Sequence, residues 1–204
     1  VVTEGDDLDI EVSGDADAVA ALRFSLSDET LAISRESDWK GSGIATVRVT
    51  TPSLTTLVLA GSGDIDAERM SGAANVTVAG SGTVKIARLE AESLDLTIAG
   101  SGDITASGSA GSLDLTVAGS GKAAMANLEA DRAEVSIAGS GDAEFASDGP
   151  VEASIMGSGT VTVNGNADCT VSSMGSGKLR CRPAATKTSE ASDESEAASA
   201  TTVE

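Results

Sequence analysis

The tripeptide Gly-Ser-Gly recurs along this chain at a near-constant interval. It stands first at Gly41-Ser42-Gly43, then begins at Gly61, Gly80, Gly100, Gly119, Gly139, Gly157 and Gly175, with spacings of 19, 20, 19, 20, 18 and 18 residues. Most copies are introduced by the same phrase of apolar, polar, apolar, Ala, as in Leu96-Thr97-Ile98-Ala99 before Gly100. A fixed period near 20 residues marks a stacked-repeat architecture. In such a fold each copy is one small unit that buries its apolar face only against its neighbours.

Columns counted from the first Gly of each triplet show what that unit is. Two residues before it stand Leu59, Val78, Ile98, Val117, Ile137 and Ile155, and Ser173 breaks the column. Four before stand Leu57, Val76, Leu96, Leu115, Val135, Ala153 and Val171. Four after stand Ile65, Val84, Ile104, Ala123, Ala143, Val161 and Leu179; six after stand Ala67, Ile86, Ala106, Met125, Phe145, Val163 and Cys181. Apolar residues therefore alternate with period two on both sides of a glycine break, which predicts two short strands joined by a bend. A further apolar residue nine after Gly, as Met70, Leu89 and Leu128, closes the coil.

No copy is long enough to hold a crossover helix, so successive copies must pair strand on strand, in parallel. The predicted fold is all-β: a single-stranded parallel β-helix of about seven coils with an N-terminal β cap. The crossover rule favours a right-handed coil, and strand spacing gives a rod of roughly 34 Å. The glycines serve the bend, where positive φ or close backbone approach is expected. Ala60, Ala79, Ala99, Ala118 and Ala138 precede the first Gly, then Met156 and Met174 do. Small residues there suit a tight corner, and the change to Met predicts a corner that opens toward the C-terminal end.

Three regions follow. Residues 1–60 lack the strict period and read as a β cap over the first rung. Leu8-Asp9-Ile10-Glu11-Val12 alternates like a strand, and Ala16 to Ala21 form a short helical turn. Leu22 to Leu26 and Leu31 to Ile33 form a hairpin about Asp28-Glu29-Thr30. Ile44 to Val49 is a strand that ends at Pro52, and the lone Trp39 fits a capping role. Residues 61–182 are the solenoid. Residues 183–204 lose the apolar alternation and read as a disordered acidic tail. Cys169 and Cys181 lie six before and six after Gly175, on the two strands of the last coil. A bend at Gly175 brings them together, so a disulfide is predicted at the open end, which implies an oxidising compartment.

The stretch from Val49 to Ile65, with Thr51-Pro52-Ser53-Leu54 leading into Leu57-Val58-Leu59-Ala60-Gly61-Ser62-Gly63-Asp64, resembles the "putative auto-transporter adhesin, head GIN domain" family of bacterial envelope proteins. In that pattern a strand ends at Pro-x-Leu and runs into Leu-x-Gly-Ser-Gly-Asp. The opening Val1-Val2-Thr3-Glu4-Gly5 resembles the tail of the family's first strand, and the resemblance extends over about residues 1 to 182. It implies a β-helix-like fold and an exported protein, often carrying a lipoprotein or secretory leader. It implies no reaction and no catalytic residue.

Composition narrows the chemistry. There is no His, so a His-based triad and His-ligated zinc are excluded; the two Cys cannot form a four-Cys zinc site. The 32 acidic against 13 basic residues give a net charge of -19, which repels nucleic acid and anionic lipid. No run approaches the 18 or so apolar residues of a membrane span. The chain opens on Val1 without an apolar leader, as expected if a leader has been removed or the start trimmed. Gly119-Ser120-Gly121-Lys122 and Gly175-Ser176-Gly177-Lys178 resemble phosphate loops only in composition; they lack the full spacing and are read as coil corners.

The best acidic column stands five before Gly: Asp95, Asp114, Glu134 and Glu152. These side chains point away from the core and stack about 5 Å apart. They are the candidate metal ligands, through weak Ca²⁺ binding by bridging oxygens; no other cofactor is indicated. The column three before Gly is an outward ladder of Thr77, Thr97, Thr116, Ser136, Ser154 and Ser172. Three after Gly, Lys122 falls between Asp103 and Asp142 and serves strand register. The predicted function is a non-enzymatic exported envelope or cell-surface protein, in the periplasm, on the outer membrane surface or outside the cell. It acts as an adhesin or interaction scaffold toward a protein or polysaccharide, not toward nucleic acid. The alternatives are a polysaccharide-active β-helix enzyme and a periplasmic sensor or interaction module.

Overall fold

A computed structural model describes residues 1–27, 30–36, 40–41 and 43–183. The hairpin turn at Asp28 and Glu29, the capping role of Trp39 and the acidic tail from residue 184 fall outside the described residues. The chain begins with β1 (Val2–Glu4), β2 (Asp9–Gly14), α1 (Ala16–Ala20), β3 (Leu22–Ser27), β4 (Thr30–Arg35) and β5 (Ala45–Thr51). The coils then follow as β6 (Thr56–Gly61), β7 (Asp64–Gly80), β8 (Thr83–Gly100), β9 (Asp103–Gly119), β10 (Lys122–Ala130) and β11 (Ala133–Gly139). They end with β12 (Asp142–Ala146), β13 (Pro150–Gly157), β14 (Thr160–Asn164), β15 (Asp168–Gly175) and β16 (Lys178–Arg182).

The fold is a β-solenoid of about seven turns with parallel strands. β7, β8 and β9 each run for 17 or 18 residues, yet none is straight. In β8 burial alternates at Val84 and Ile86, slips by one residue to reach Leu89, and resumes its alternation at Leu94, Leu96 and Ile98. Each break in the period turns the chain, because residues on one face of a strand must lie two apart. A coil thus has three legs, represented by Thr83–Ile86, Arg88–Ala91 and Ser93–Gly100, and each leg pairs in register with the rungs on either side. The ninth-position residues Met70, Leu89 and Leu128 are buried and close the coil on the middle leg.

The 19-to-20 variation is absorbed at corners: Gly72 pairs Ala91 and Ala73 pairs Ser93, so Glu92 is the extra residue. The fall to 18 has a different cause. After Phe145 the middle leg shrinks to the turn Ser147-Asp148-Gly149, and Ala146 now lies beside Glu129. Phe145 is fully buried and lies in register with Met125 of the coil before.

The Gly-Ser-Gly corner is the third bend. The first Gly of every triplet from Gly61 onward has φ between +122 and +131°. From Gly80 on it also lies against the rung below: a Cβ on Gly119 would run into the carbonyl oxygen of Gly100. The second Gly is buried from Gly82 to Gly159, and a Cβ on Gly121 would meet the Ile98 side chain. Both expected reasons for glycine operate at once, and the corner keeps its hydrogen bonds. Ser120 N donates to Gly100 O at 2.9 Å and Lys122 N to Gly102 O at 3.1 Å, and the same pair of bonds recurs at the other corners.

The four predicted apolar columns form one continuous core. A fifth joins them six before Gly: Ala74, Leu94, Leu113, Ala133 and Val151 are all buried. The expectation of an opening corner is corrected. Ala99, Ala118 and Ala138 face solvent, so Met156 and Met174 fill no wider corner; they project outward, Met174 at 73 % exposure. At the C-terminal end the core columns surface, with Ser173 exposed and Val171 at 48 % exposure.

The cap meets the solenoid at one leg. Val2 of β1 pairs Ala67 of β7, β1 pairs β5 in parallel, and β5 pairs β2 antiparallel. β3 and β4 form a separate antiparallel pair, with Phe24 opposite Ile33 and Leu26 opposite Leu31.

Candidate functional site

The leg before each Gly-Ser-Gly is the longest of the three and builds the widest repeated surface. β6, the last legs of β7, β8 and β9, then β11, β13 and β15 stack here residue for residue, with no register shift from Leu113 to Gly175. Alternate residues face inward, so the outward ones form straight columns along the rod.

The four acidic candidates come together as predicted. Asp95 lies beside Asp114, Asp114 beside Glu134 and Glu134 beside Glu152; Asn75 continues the column at one end and Thr170 at the other. All four carboxylates are exposed. One column over, Thr77, Thr97, Thr116, Ser136, Ser154 and Ser172 stack likewise. The third column is the Ala and Met row. An open depression of about 150 Å³ is lined by Glu134, Ser136, Glu152, Ser154, Thr170 and Ser172.

Carboxylate oxygens only accept hydrogen bonds, whereas hydroxyls both donate and accept. The face therefore offers acceptors and donors in parallel rows, repeating about every 4.8 Å along the rod. Among the described residues no group of three or more His, Cys, Asp or Glu side chains is gathered closely enough to hold a metal ion.

Lys122 lies in register between Asp103 and Asp142. Among the described residues, however, the ion pairs within 4.0 Å form elsewhere: Arg23–Glu36, Arg48–Glu11, Arg69–Glu4 and Arg69–Glu90. Asp142 instead accepts a bond from Thr160 N at 3.1 Å. Arg69, which reaches Glu4 of β1 and Glu90 of β8, ties the cap to the first coils; sequence periodicity gave no hint of it. The two Gly-Ser-Gly-Lys segments are coil corners, followed by strands β10 and β16.

Cys169 and Cys181 form a disulfide that joins β15 to β16, with Cα atoms 6.8 Å apart. Both belong to core columns, Cys169 to the one six before Gly and Cys181 to the one six after. The bond thus bridges the core where no later coil stacks among the described residues.

Comparison with known proteins gives a consistent picture. The family model described as "Putative auto-transporter adhesin, head GIN domain" matches residues 1–167. A crystal structure of a "putative adhesin" from Bacteroides fragilis is similar with a TM-score of 0.82 at 24% identity, over 89% of this chain and 86% of that one. A "putative lipid binding protein" from Parabacteroides distasonis is similar with a TM-score of 0.67 at 24% identity, over 89% and 87%. A "putative adhesin" from Parabacteroides merdae is similar with a TM-score of 0.67 at 17% identity, over 89% and 87%. At such identities the structures share a fold and nothing finer. No curated protein matches the chain.

Proposed function

This chain belongs to the family described as "Putative auto-transporter adhesin, head GIN domain", and on that premise we propose that it is a non-enzymatic, exported envelope or cell-surface protein that binds its partner through the flat face of its solenoid. The observation that carries this reading is the unbroken register of the Asp95–Glu152 and Thr77–Ser172 columns. Seven strands of about eight residues make a face of roughly 25 by 30 Å, on the order of 750 Å². That is close to the ~800 Å² per partner of a standard protein interface.

Two further features support it. The disulfide suits an oxidising compartment such as the periplasm or cell exterior. The four carboxylates share one flat exposed face with like neighbours, so nothing sets one apart as acid and another as base, the division of roles that glycoside hydrolysis needs.

The test is binding of the purified protein to isolated bacterial envelopes. Thr97→Gln with Thr116→Gln adds bulk to the centre of the face without changing charge, and is expected to weaken binding at least tenfold. Thr105→Gln, on another leg, is expected to leave it unchanged. Equal binding by all three proteins, or none by the wild type, refutes the reading.

A further inference from the structure

The first and last coils carry opposite charge in the same columns. Three, five and seven residues after the first Gly, the first coil has Asp64, Asp66 and Glu68, whereas the last has Lys178, Arg180 and Arg182. All three cations are exposed on the single strand β16. Alternate residues of a strand point the same way, so the charges form a row with a spacing of about 6.7 Å. In a chain with 32 acidic residues, none of the three has a carboxylate within 4.0 Å among the described residues. The rung beside them is polar and uncharged: Thr160, Thr162 and Asn164 lie in register with Lys178, Arg180 and Arg182.

The row is also held firmly. A terminal strand ordinarily frays, but Cys181 sits between Arg180 and Arg182, and its bond to Cys169 fixes the backbone carrying both. The nearest acids in these columns, Asp142 and Glu144, lie two rungs away, about 9.6 Å. That exceeds the Debye length of about 8 Å at physiological salt. Both are already engaged, Asp142 by Thr160 N and Glu144 by Asn164 Nδ2 at 3.2 Å.

We propose that the outward face of β16 binds an acidic polysaccharide through its local positive charge, the rest of the chain's net charge of -19 being screened beyond about 8 Å at physiological salt. The three cations take its carboxylate or sulfate groups, Arg180 and Arg182 with the bidentate geometry of guanidinium, and the hydroxyl rung takes sugar hydroxyls. Two other polyanions fit less well. The outward columns of this face hold no aromatic ring on which nucleic-acid bases stack. They hold no large apolar side chain to enter a lipid surface, because Leu179 points into the coil. This ligand adds to the surface-protein reading and rests on it only for the setting; the site stands on a different leg from the Thr ladder.

The experiment is titration of the purified full chain with heparin and with alginate, against neutral dextran, single-stranded DNA and phosphatidylglycerol vesicles. Saturable binding of heparin or alginate that weakens with salt is expected. Arg180→Gln with Arg182→Gln is expected to lower affinity at least tenfold, about 1.4 kcal/mol, with an unchanged melting profile. Arg180→Lys with Arg182→Lys keeps most of the binding, and Arg88→Gln, which removes an exposed cation from the middle leg, keeps all of it. No binding by the wild type, equal binding by the Gln double variant, or tighter binding of DNA or vesicles overturns the proposal. Envelope binding that fails while heparin binding holds overturns the ladder reading alone.

Discussion

Gly119→Ala tests whether the corner is what fixes the stack. Two costs add at this site. The residue has φ +130°, a conformation that L side chains rarely adopt, which costs on the order of 1–3 kcal/mol. Its new Cβ runs into Gly100 O, the oxygen that also accepts the bond from Ser120 N; forcing atoms into a packed site costs about 1–3 kcal/mol more. Ala returns some 0.4–1 kcal/mol by restricting the unfolded chain. The net loss is roughly 1–6 kcal/mol, a large share of the 5–15 kcal/mol typical of a domain. Gly61→Ala is the internal control. It has φ +122°, but nothing lies within 4 Å of its Cβ because no Gly-Ser-Gly corner stacks beneath it. Only the backbone strain applies, and the net loss falls to roughly 0–3 kcal/mol. Urea unfolding followed by circular dichroism, with hydrogen exchange to locate the weakened rungs, measures both. If Gly119→Ala loses no more stability than Gly61→Ala, close stacking is not what the triplet provides.

Two further predictions address the end and the face of the rod. Cys181→Ser opens a loop with a sequence separation of 12 and is expected to cost about 3 kcal/mol; faster hydrogen exchange confined to β15 and β16 is the signature, and exchange unchanged there refutes a clamping role. Asp114→Asn removes one of the two inner members of four stacked like charges, so a gain of about 0.2–1 kcal/mol at low salt is expected. The gain should vanish near 1 M salt, where the Debye length is about 3 Å; a gain that persists in thermal melts at high salt would point away from charge repulsion.

Much of this was legible in the columns, because a solenoid repeats its constraints and each copy votes on the same position. The ladder Asp95, Asp114, Glu134 and Glu152 and the disulfide Cys169–Cys181 could be placed from spacing alone. What escaped lies where the apolar signal is weak. The column Ala74, Leu94, Leu113, Ala133 and Val151 keeps its place six before Gly, but Ala fills two of its five positions. The middle leg itself is short, and Gly108 stands in its apolar column beside Leu89 and Leu128. The Met corner was misread because the position before a glycine is conspicuous in sequence while its direction, outward, is not. The seating of β1 on β7 and β5 joins residues more than 40 apart through a few backbone bonds, and alternation in Val2–Glu4 does not reveal which edge it will join.

The cap, the corner and the disulfide serve one result: rungs held in register long enough to present straight columns of side chains. The proposed function stands or falls on whether a partner uses those columns. Hydroxyl-radical footprinting of the protein, free and bound to bacterial envelopes, reads this directly. The account predicts protection concentrated on the face of β8, β9, β11 and β13 that carries Asp95, Thr97, Asp114, Thr116, Glu134 and Glu152. Protection confined to the cap or to other legs, or no protection at saturating envelope, contradicts it.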